Sequence, residues 1–273
     1  APDERWVQLD FGILTASDYR RPNFFGDVRV RQALAQCIDR RTIVDEVSYG
    51  RSATPEAYLP PGHPLAADGY LSTWNYDPVA AQALLEQVGW IDGDGDGVRE
   101  ARTVQGMRAG TPFSVTLRVA LEDEAAQRAA RIVKANLADC GIRVALEALP
   151  AQQLYAPGPA GLLYGRRFDL ALTTRPFGPT PACGDYLSTA IPDRGRWTAA
   201  NISGYSDPSS YDAACQAALA ALPGSAEYEE NHRQAQLVFS QDLPAVPLYA
   251  TLRVALTLPD VLNFMLDATA TSE

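Results

Sequence analysis

The chain is 273 residues long, 47% hydrophobic and 21% charged, the usage of a globular protein with a sizeable core, which excludes a disordered or fibrous class. Its formal charge of −10 excludes partners that need a clustered basic face, namely nucleic acid and anionic membrane. No apolar run reaches the roughly 20 residues that span a bilayer, and with neither an initiator Met nor a signal peptide the sequence is expected to be a processed or excised piece.

Val7, Leu9, Phe11 and Ile13 alternate with polar or small residues, the period of a half-buried strand. From Asp27 to Val47 the period changes to that of a helix. Val30, Leu34, Cys37, Ile38, Val44 and Val47 form its buried stripe, while Arg29, Arg31, Gln32, Gln36 and Arg40 fall on the wet face. Asp27 stands at the N-cap and Gly50 at the stop, so a single helix is expected. A Pro/Gly-rich connector runs from Thr54 to Trp74. Asp77-Pro78 then starts a helix with Ala80, Leu84, Leu85 and Val88 on its apolar face, ending at Gly89. Asp92, Asp94 and Asp96 match positions 1, 3 and 5 of a calcium loop, but Thr103 stands at the twelfth position where a bidentate Glu belongs, so the run reads as an acidic hairpin turn.

Phe113, Val115, Leu117, Val119 and Leu121 alternate; Ala125, Ala129, Ile132, Val133 and Leu137 make a helical stripe; Ile142, Val144, Leu146 and Ala148 alternate again. A broken helical stretch from Gln152 to Tyr164 leads to a short strand with Phe168, Leu170 and Leu172. This is an α/β pattern, β-α-β-α-β, which winds into a parallel sheet flanked by helices. Ligands of such sheets gather outside the carboxyl ends of the strands. That places Glu122, Asp123, Pro150 and above all Thr174, Arg175, Pro176 and Phe177 at the candidate rim. An irregular segment from Gly178 to Asn201 follows, then a helix capped by Asp207-Pro208 with Tyr211, Cys215 and Leu219 on its stripe, a second helix through Phe239, and a long alternating strand from Val246 to Leu256.

The supply of chemistry is thin. His63 and His232 neighbour neither a nucleophile nor a second ligand in sequence, and both read as surface residues. No hydrolase, phosphate-loop or dinucleotide motif is present, the four cysteines lack metal spacing, and no catalytic residue, metal or cofactor is assigned. Cys37 and Cys140 read as buried free thiols, whereas in an oxidising compartment Cys183 would pair with Cys215 and pin the irregular loop to a helix. What remains is a rim suited to a small ligand: Thr174, Arg175, Pro176 and Phe177 with Tyr186, Trp197, Asn201 and Tyr205. Trp197 and Tyr205 read equally as loop core, and Arg175 equally as a salt-bridge partner.

Val28-Arg29-Val30-Arg31-Gln32-Ala33-Leu34, then Ile38-Asp39-Arg40, Pro60-Pro61-Gly62-His63-Pro64 and Tyr76-Asp77-Pro78 ahead of Gly89-Trp90, together resemble the second lobe of the family 5 extracellular solute-binding proteins, the peptide, nickel and oligosaccharide receptors of ABC importers. The resemblance implies a periplasmic-binding-protein-like lobe with a mixed, mostly parallel sheet. Residues 1–273 would form one lobe, residues 5–14 and 245–257 the strands that approach the hinge, and an N-terminal lobe would be missing. It further implies a solute held between lobes, docking on membrane permease subunits, no catalysis, and a periplasmic or lipid-anchored extracytoplasmic location. The segment Asn201-Ile202-Ser203-Gly204-Tyr205-Ser206-Asp207-Pro208 is similar to the family's loop beside the ligand. Peptide-binding members carry a Trp and then an Asp after the strand that ends the β-α-β-α-β unit. Here Arg175-Pro176-Phe177-Gly178-Pro179 has neither, which argues against capture of a peptide amino terminus and for another ligand, one bearing a carboxylate, unless the later Asp185 substitutes. A ligand-free interaction or chaperone-like module and a hydrolase using the acidic strand ends are the alternative readings.

Overall fold

The computed structural model describes residues 2–177, 180–193, 195–252 and 258. Strand β1 (Pro2–Phe11) is followed by α1 (Val28–Cys37), α2 (Arg40–Ser48) and α3 (Pro78–Val88), then by the short pair β2 (Trp90–Ile91) and β3 (Glu100–Ala101). The β-α-β-α-β unit is β4 (Ser114–Ala120), α4 (Glu124–Asp139), β5 (Arg143–Leu149), the single turn α5 (Ala151–Leu154) and β6 (Leu170–Pro176). Helices α6 (Tyr211–Ala220) and α7 (Ala226–Asp242) lead to β7 (Ala245–Leu252).

Five strands form one sheet in the order β5-β4-β6-β1-β7. Strand β4 runs parallel to β5 and β6, and β1 runs antiparallel to both β6 and β7. The sheet is therefore mixed and mostly parallel. Its carboxyl edge gathers the ends of β4, β5, β6 and β7 with the beginning of β1. One face carries Val7, Leu9, Phe11, Val115, Leu117 and Val119 against α1, α3 and α4. The other carries Trp6, and a second cluster with Tyr58, Tyr186, Tyr211 and Phe239 packs over it. Because both faces are covered, Gln8 and Asp10 on β1 are 0% and 1% exposed, although the alternation reads as half-buried.

The helix expected over Asp27–Val47 is two helices. Ile38 turns to an extended conformation, and Asp39 starts α2 by accepting from Thr42 N at 3.0 Å and Thr42 Oγ1 at 2.7 Å. Asp39 N also donates to Asn136 Oδ1 of α4, so the break is held from outside. Arg31 is not on a wet face. It is buried, donating to the carbonyls of Phe25, Asp242 and Leu243, where a cation meets the negative end of α7. Burial lowers its pKa to about 10, against the pull of Asp242.

Asp207-Pro208 opens a turn and not the helix itself. The Asp207 carboxylate accepts from Ser210 N and Tyr211 N, and α6 begins at Tyr211. Cys183 pairs with Cys215 as expected in an oxidising compartment, but Cys37 and Cys140 are also bonded to each other and are not free thiols. His232 is buried and not on the surface. The last strand is described to Leu252; Val254 and Leu256 lie outside the described residues.

Candidate ligand-binding site at the carboxyl edge of the sheet

The register of β1 against β6 sets Trp6 opposite Arg175 and Gln8 opposite Thr173. With a period of two, Trp6, Gln8 and Asp10 share one face of β1, and Thr173 and Arg175 share the same face of β6. A continuous polar chain results. Gln8 Oε1 accepts from Trp6 Nε1 at 2.9 Å and from Tyr186 Oη at 2.8 Å, Gln8 Nε2 donates to Asp10 Oδ1 at 2.7 Å, and Thr173 Oγ1 donates to Asp10 Oδ2 at 2.5 Å. Every member inside the sheet has a partner, which rigidifies the edge where it ends.

Arg175 closes the chain. Its Nη2 lies 4.0 Å from Asp10 Oδ1 and donates to the Ala200 carbonyl at 3.0 Å, with the side chain 15% exposed. Burial raises the pKa of Asp10, opposed first by Arg175 and then by the bonds from Thr173 and Gln8. For Arg175 burial acts to lower the pKa, but Asp10, with Tyr186, Asp185 and Tyr164, outweighs it and leaves it raised. The guanidinium is thus held as a cation in a shielded place. It lines a cavity of about 190 Å³ with Tyr155, Leu163, Tyr164, Thr173, Thr174, Pro176 and Ile202. A larger recess of about 370 Å³ lies by Asp39, Arg40 and Trp74, but there Arg40 is already in direct contact with Glu56 at 3.1 Å. The smaller cavity combines apolar walls with a convergent cation, the composition of a small-ligand site.

The residues expected at the rim divide. Thr174, Arg175 and Pro176 line the cavity, and Phe177 stands beside it, stacked on Trp6 with ring centroids 4.5 Å apart. Tyr186 is buried beneath, in the polar chain. Asn201 is engaged within its own loop: Nδ2 donates to the carbonyls of Tyr186, Leu187 and Tyr205, and Oδ1 accepts from Ser203 Oγ and Tyr205 N. Tyr205 donates from its hydroxyl to Asp242 and packs edge-on against Tyr211, so it is loop core. Trp197 sits over Gly158, where a Cβ would meet its ring at 2.3 Å, and it does not line the cavity. Glu122 and Asp123 do not converge as a catalytic pair. Glu122 accepts from Ala151 N at the start of α5, and Asp123 caps α4 through Ala126 N.

Sequence reasoning missed Asp10, Gln8, Thr173, Tyr155 and Tyr164. The signal for the first two was polar residues on a strand now seen to be central. Asp92, Asp94, Asp96 and Glu100 do gather, each offering a carboxylate oxygen within 4.8 Å of the others. Their oxygens accept from the backbone N–H groups of Gly95, Asp96, Gly97, Val98 and Gly93, which is the work of a tight hairpin turn.

A family model described as "Bacterial extracellular solute-binding proteins, family 5 Middle" matches residues 9–187. The nickel-binding periplasmic protein of Escherichia coli (strain K12) is 28% identical over 143 residues, covering 51% of this chain and 26% of that protein. The oligopeptide-binding protein AppA of Bacillus subtilis (strain 168) is 31% identical over 123 residues, covering 44% of this chain and 21% of AppA. The structure of AppA in complex with a nonapeptide superposes with a TM-score of 0.76 at 20% identity, over 92% of this chain and 45% of AppA. The chain thus spans less than half the length of these relatives. No helix among the described residues is long and apolar enough to cross a membrane. With about two thirds of its length matched, in a fold shared with a solved member, the chain belongs to the bacterial extracellular solute-binding proteins of family 5.

Proposed function

We propose that this chain is the second lobe of a two-lobed extracytoplasmic receptor, which encloses a small polar solute between its lobes and delivers it to the permease of an ABC importer. The carrying observation is the cavity at the carboxyl edge, where Thr174, Arg175 and Pro176 meet Tyr155 and Tyr164. In this reading β1 and β7, paired antiparallel, run toward the hinge, and the first lobe supplies the other wall of the site. A convergent cation with apolar walls favours a ligand site over a ligand-free interaction module, for which an apolar rim without polar groups is the expectation. The engagement of Glu122 and Asp123 as helix caps supports binding without hydrolysis. Both disulfides suit an oxidising compartment, in periplasmic or lipid-anchored form.

Calorimetric titration of the two-lobed receptor and of this chain alone, against di- to hexapeptides, oligosaccharides and nickel chelates, tests the proposal. Tight binding of one class by the receptor, with weak or absent binding by the single lobe, is expected. A folded receptor that binds none of them overturns the reading in favour of the interaction module.

A further inference from the structure

The Arg175 guanidinium faces a carboxylate without closing on it. Asp10 stops at 4.0 Å, held there by Gln8 Nε2 at 2.7 Å and Thr173 Oγ1 at 2.5 Å. Arg40, by contrast, meets Glu56 through direct N–H···O contacts at 3.1 Å. Arg175 Nη2 is turned to the Ala200 carbonyl, and the buried Nε–H has no hydrogen-bond partner among the described residues. A buried donor left unmade costs about 1–3 kcal/mol. The cation therefore carries charge that Asp10 neutralises only from a distance, at the side of a cavity sized for one ring or one side chain.

An incoming anion changes the balance. With the guanidinium, Asp10 and a ligand carboxylate together, two anions share one cation in a shielded place. Like charges that close raise the proton affinity of one of them. We propose that the cavity takes a carboxylate of the solute on the Arg175 guanidinium in competition with Asp10, so that binding is coupled to protonation of Asp10 from solvent. The ligand enters as an anion, one proton lands on an Asp10 oxygen, and the buried site keeps its net charge of zero. This rests on the receptor reading and names the class of its solute. Asp10 does not line the cavity, so it acts as a positioning residue behind Arg175.

The other groups facing Asp10 and Arg175 are Thr173 of β6, Asp185 and Tyr186 of the helical turn Ala182–Tyr186, and Tyr155 and Tyr164 at the cavity wall. Asp185 is the competing candidate for the proton, because burial raises its pKa too and Arg175 opposes the rise.

Benzoate, one ring with one carboxylate, is the probe, and benzamide is its neutral counterpart. Both are titrated calorimetrically into the 273-residue chain, in two buffers of different ionisation enthalpy, between about pH 5.5 and 8.5, where benzoate stays ionised and a raised carboxyl can titrate. Benzoate is expected to bind weakly, because this lobe supplies one wall of the site, and benzamide not. The apparent enthalpy should differ between buffers by the uptake of up to about one proton, with Kd rising up to about tenfold per pH unit. Asp10→Asn should abolish the uptake and flatten the profile with equal or tighter binding, a result that a merely structural Asp10 would not give. Asp185→Asn should leave the uptake in place. Binding with no buffer dependence in the unsubstituted chain overturns the coupling even if Asp10→Asn does not fold, as does uptake that survives Asp10→Asn or vanishes in Asp185→Asn. Absence of benzoate binding, with the receptor binding any solute of the panel, overturns this inference and leaves the receptor reading intact. Proton-linked benzoate binding with no hit in the solute panel does the reverse.

Discussion

Cys37, the last residue of α1, is bonded to Cys140, the residue that caps the end of α4, with Cα atoms 6.3 Å apart and a sequence separation of 103. The bridge fastens the first helix of the chain to the helix that crosses from β4 to β5. Closing so long a loop removes much of the freedom of the unfolded chain, and such bridges contribute about 2–4 kcal/mol. Replacing both cysteines by alanine is expected to lower the unfolding free energy by about that amount in urea titration, while far-ultraviolet circular dichroism stays native. The Cys183–Cys215 bridge closes a shorter loop, with a separation of 32, and its double alanine variant should lose somewhat less. An unchanged midpoint for the Cys37/Cys140 variant would contradict the first expectation.

Arg21 and Asp169 form a buried pair at 3.0 Å, with side chains 8% and 9% exposed. Asp169 also accepts from Thr116 N of β4, and Arg21 donates to the Gly12 and Pro22 carbonyls while its guanidinium lies 5.5 Å from the centre of the Phe25 ring. The pair therefore ties the connector after β1 to the lower ends of β4 and β6. Removing one partner leaves the other charge uncompensated, which costs about 3–5 kcal/mol, far more than a surface pair. Arg21→Met should lose that much in chemical denaturation, and the double substitution Arg21→Met/Asp169→Asn should recover part of it. Equal losses in the single and double variants would mean that the pair itself is not what holds this corner.

Much of the architecture was legible because its causes are local. The alternation of Val115, Leu117 and Val119 and the stripe through Ala129, Val133 and Leu137 each name their element, and Asp77-Pro78 and Gly89 bracket α3. The failures share a physical reason, which is that burial is decided by what packs from far away. Arg31 looks like a solvated cation until the end of α7 arrives over it. Asp39 lies within an unbroken apolar rhythm, and its capping chemistry prevails only with Asn136 of α4 beside it. At the site, Arg175 and its neighbours on β6 were found from the rule for strand ends, but Asp10 was not. Its place depends on β1 lying between β6 and β7, a pairing that spans nearly the whole chain.

Asn201 supports the wall of the cavity from behind. Its amide donates to the carbonyls of Tyr186, Leu187 and Tyr205 at 3.1, 2.9 and 2.9 Å, joining the helical turn that carries Asp185 and Tyr186 to the loop that carries Ile202. Asn201→Asp keeps the shape and turns a donor toward those carbonyls into an acceptor, which leaves buried groups unsatisfied. It is expected to cost about 2–4 kcal/mol of stability. Thermal melting with and without solute separates this from direct recognition: Tm should fall by a similar amount in both. A variant with native Tm and lost affinity would instead return Asn201 to the ligand.

His232 carries the clearest expectation for pH. It is 1% exposed on α7, its ring meets Tyr228 edge-on at 4.5 Å between centroids, and neither ring nitrogen has a hydrogen-bond partner among the described residues. Burial lowers its pKa, so the native state holds the neutral ring. The unfolded chain keeps the ordinary value of about 6.5. As pH falls below that value the unfolded state takes up the proton first, and the native state follows only at its depressed pKa. Stability contributed by His232 is therefore fully present above about pH 6.5 and is lost through the window below it. His63 shifts in the same direction, also through burial, but it is only partly buried and its Nδ1 already accepts from Leu65 N at 3.1 Å. Urea midpoints of the unsubstituted chain, His232→Leu and His63→Gln, measured from about pH 7.5 down to 5, test the sign. His232→Leu should narrow the loss on acidification more than His63→Gln does. A difference from the unsubstituted chain that does not change with pH would show that the His232 ring is packing alone and does not titrate with unfolding.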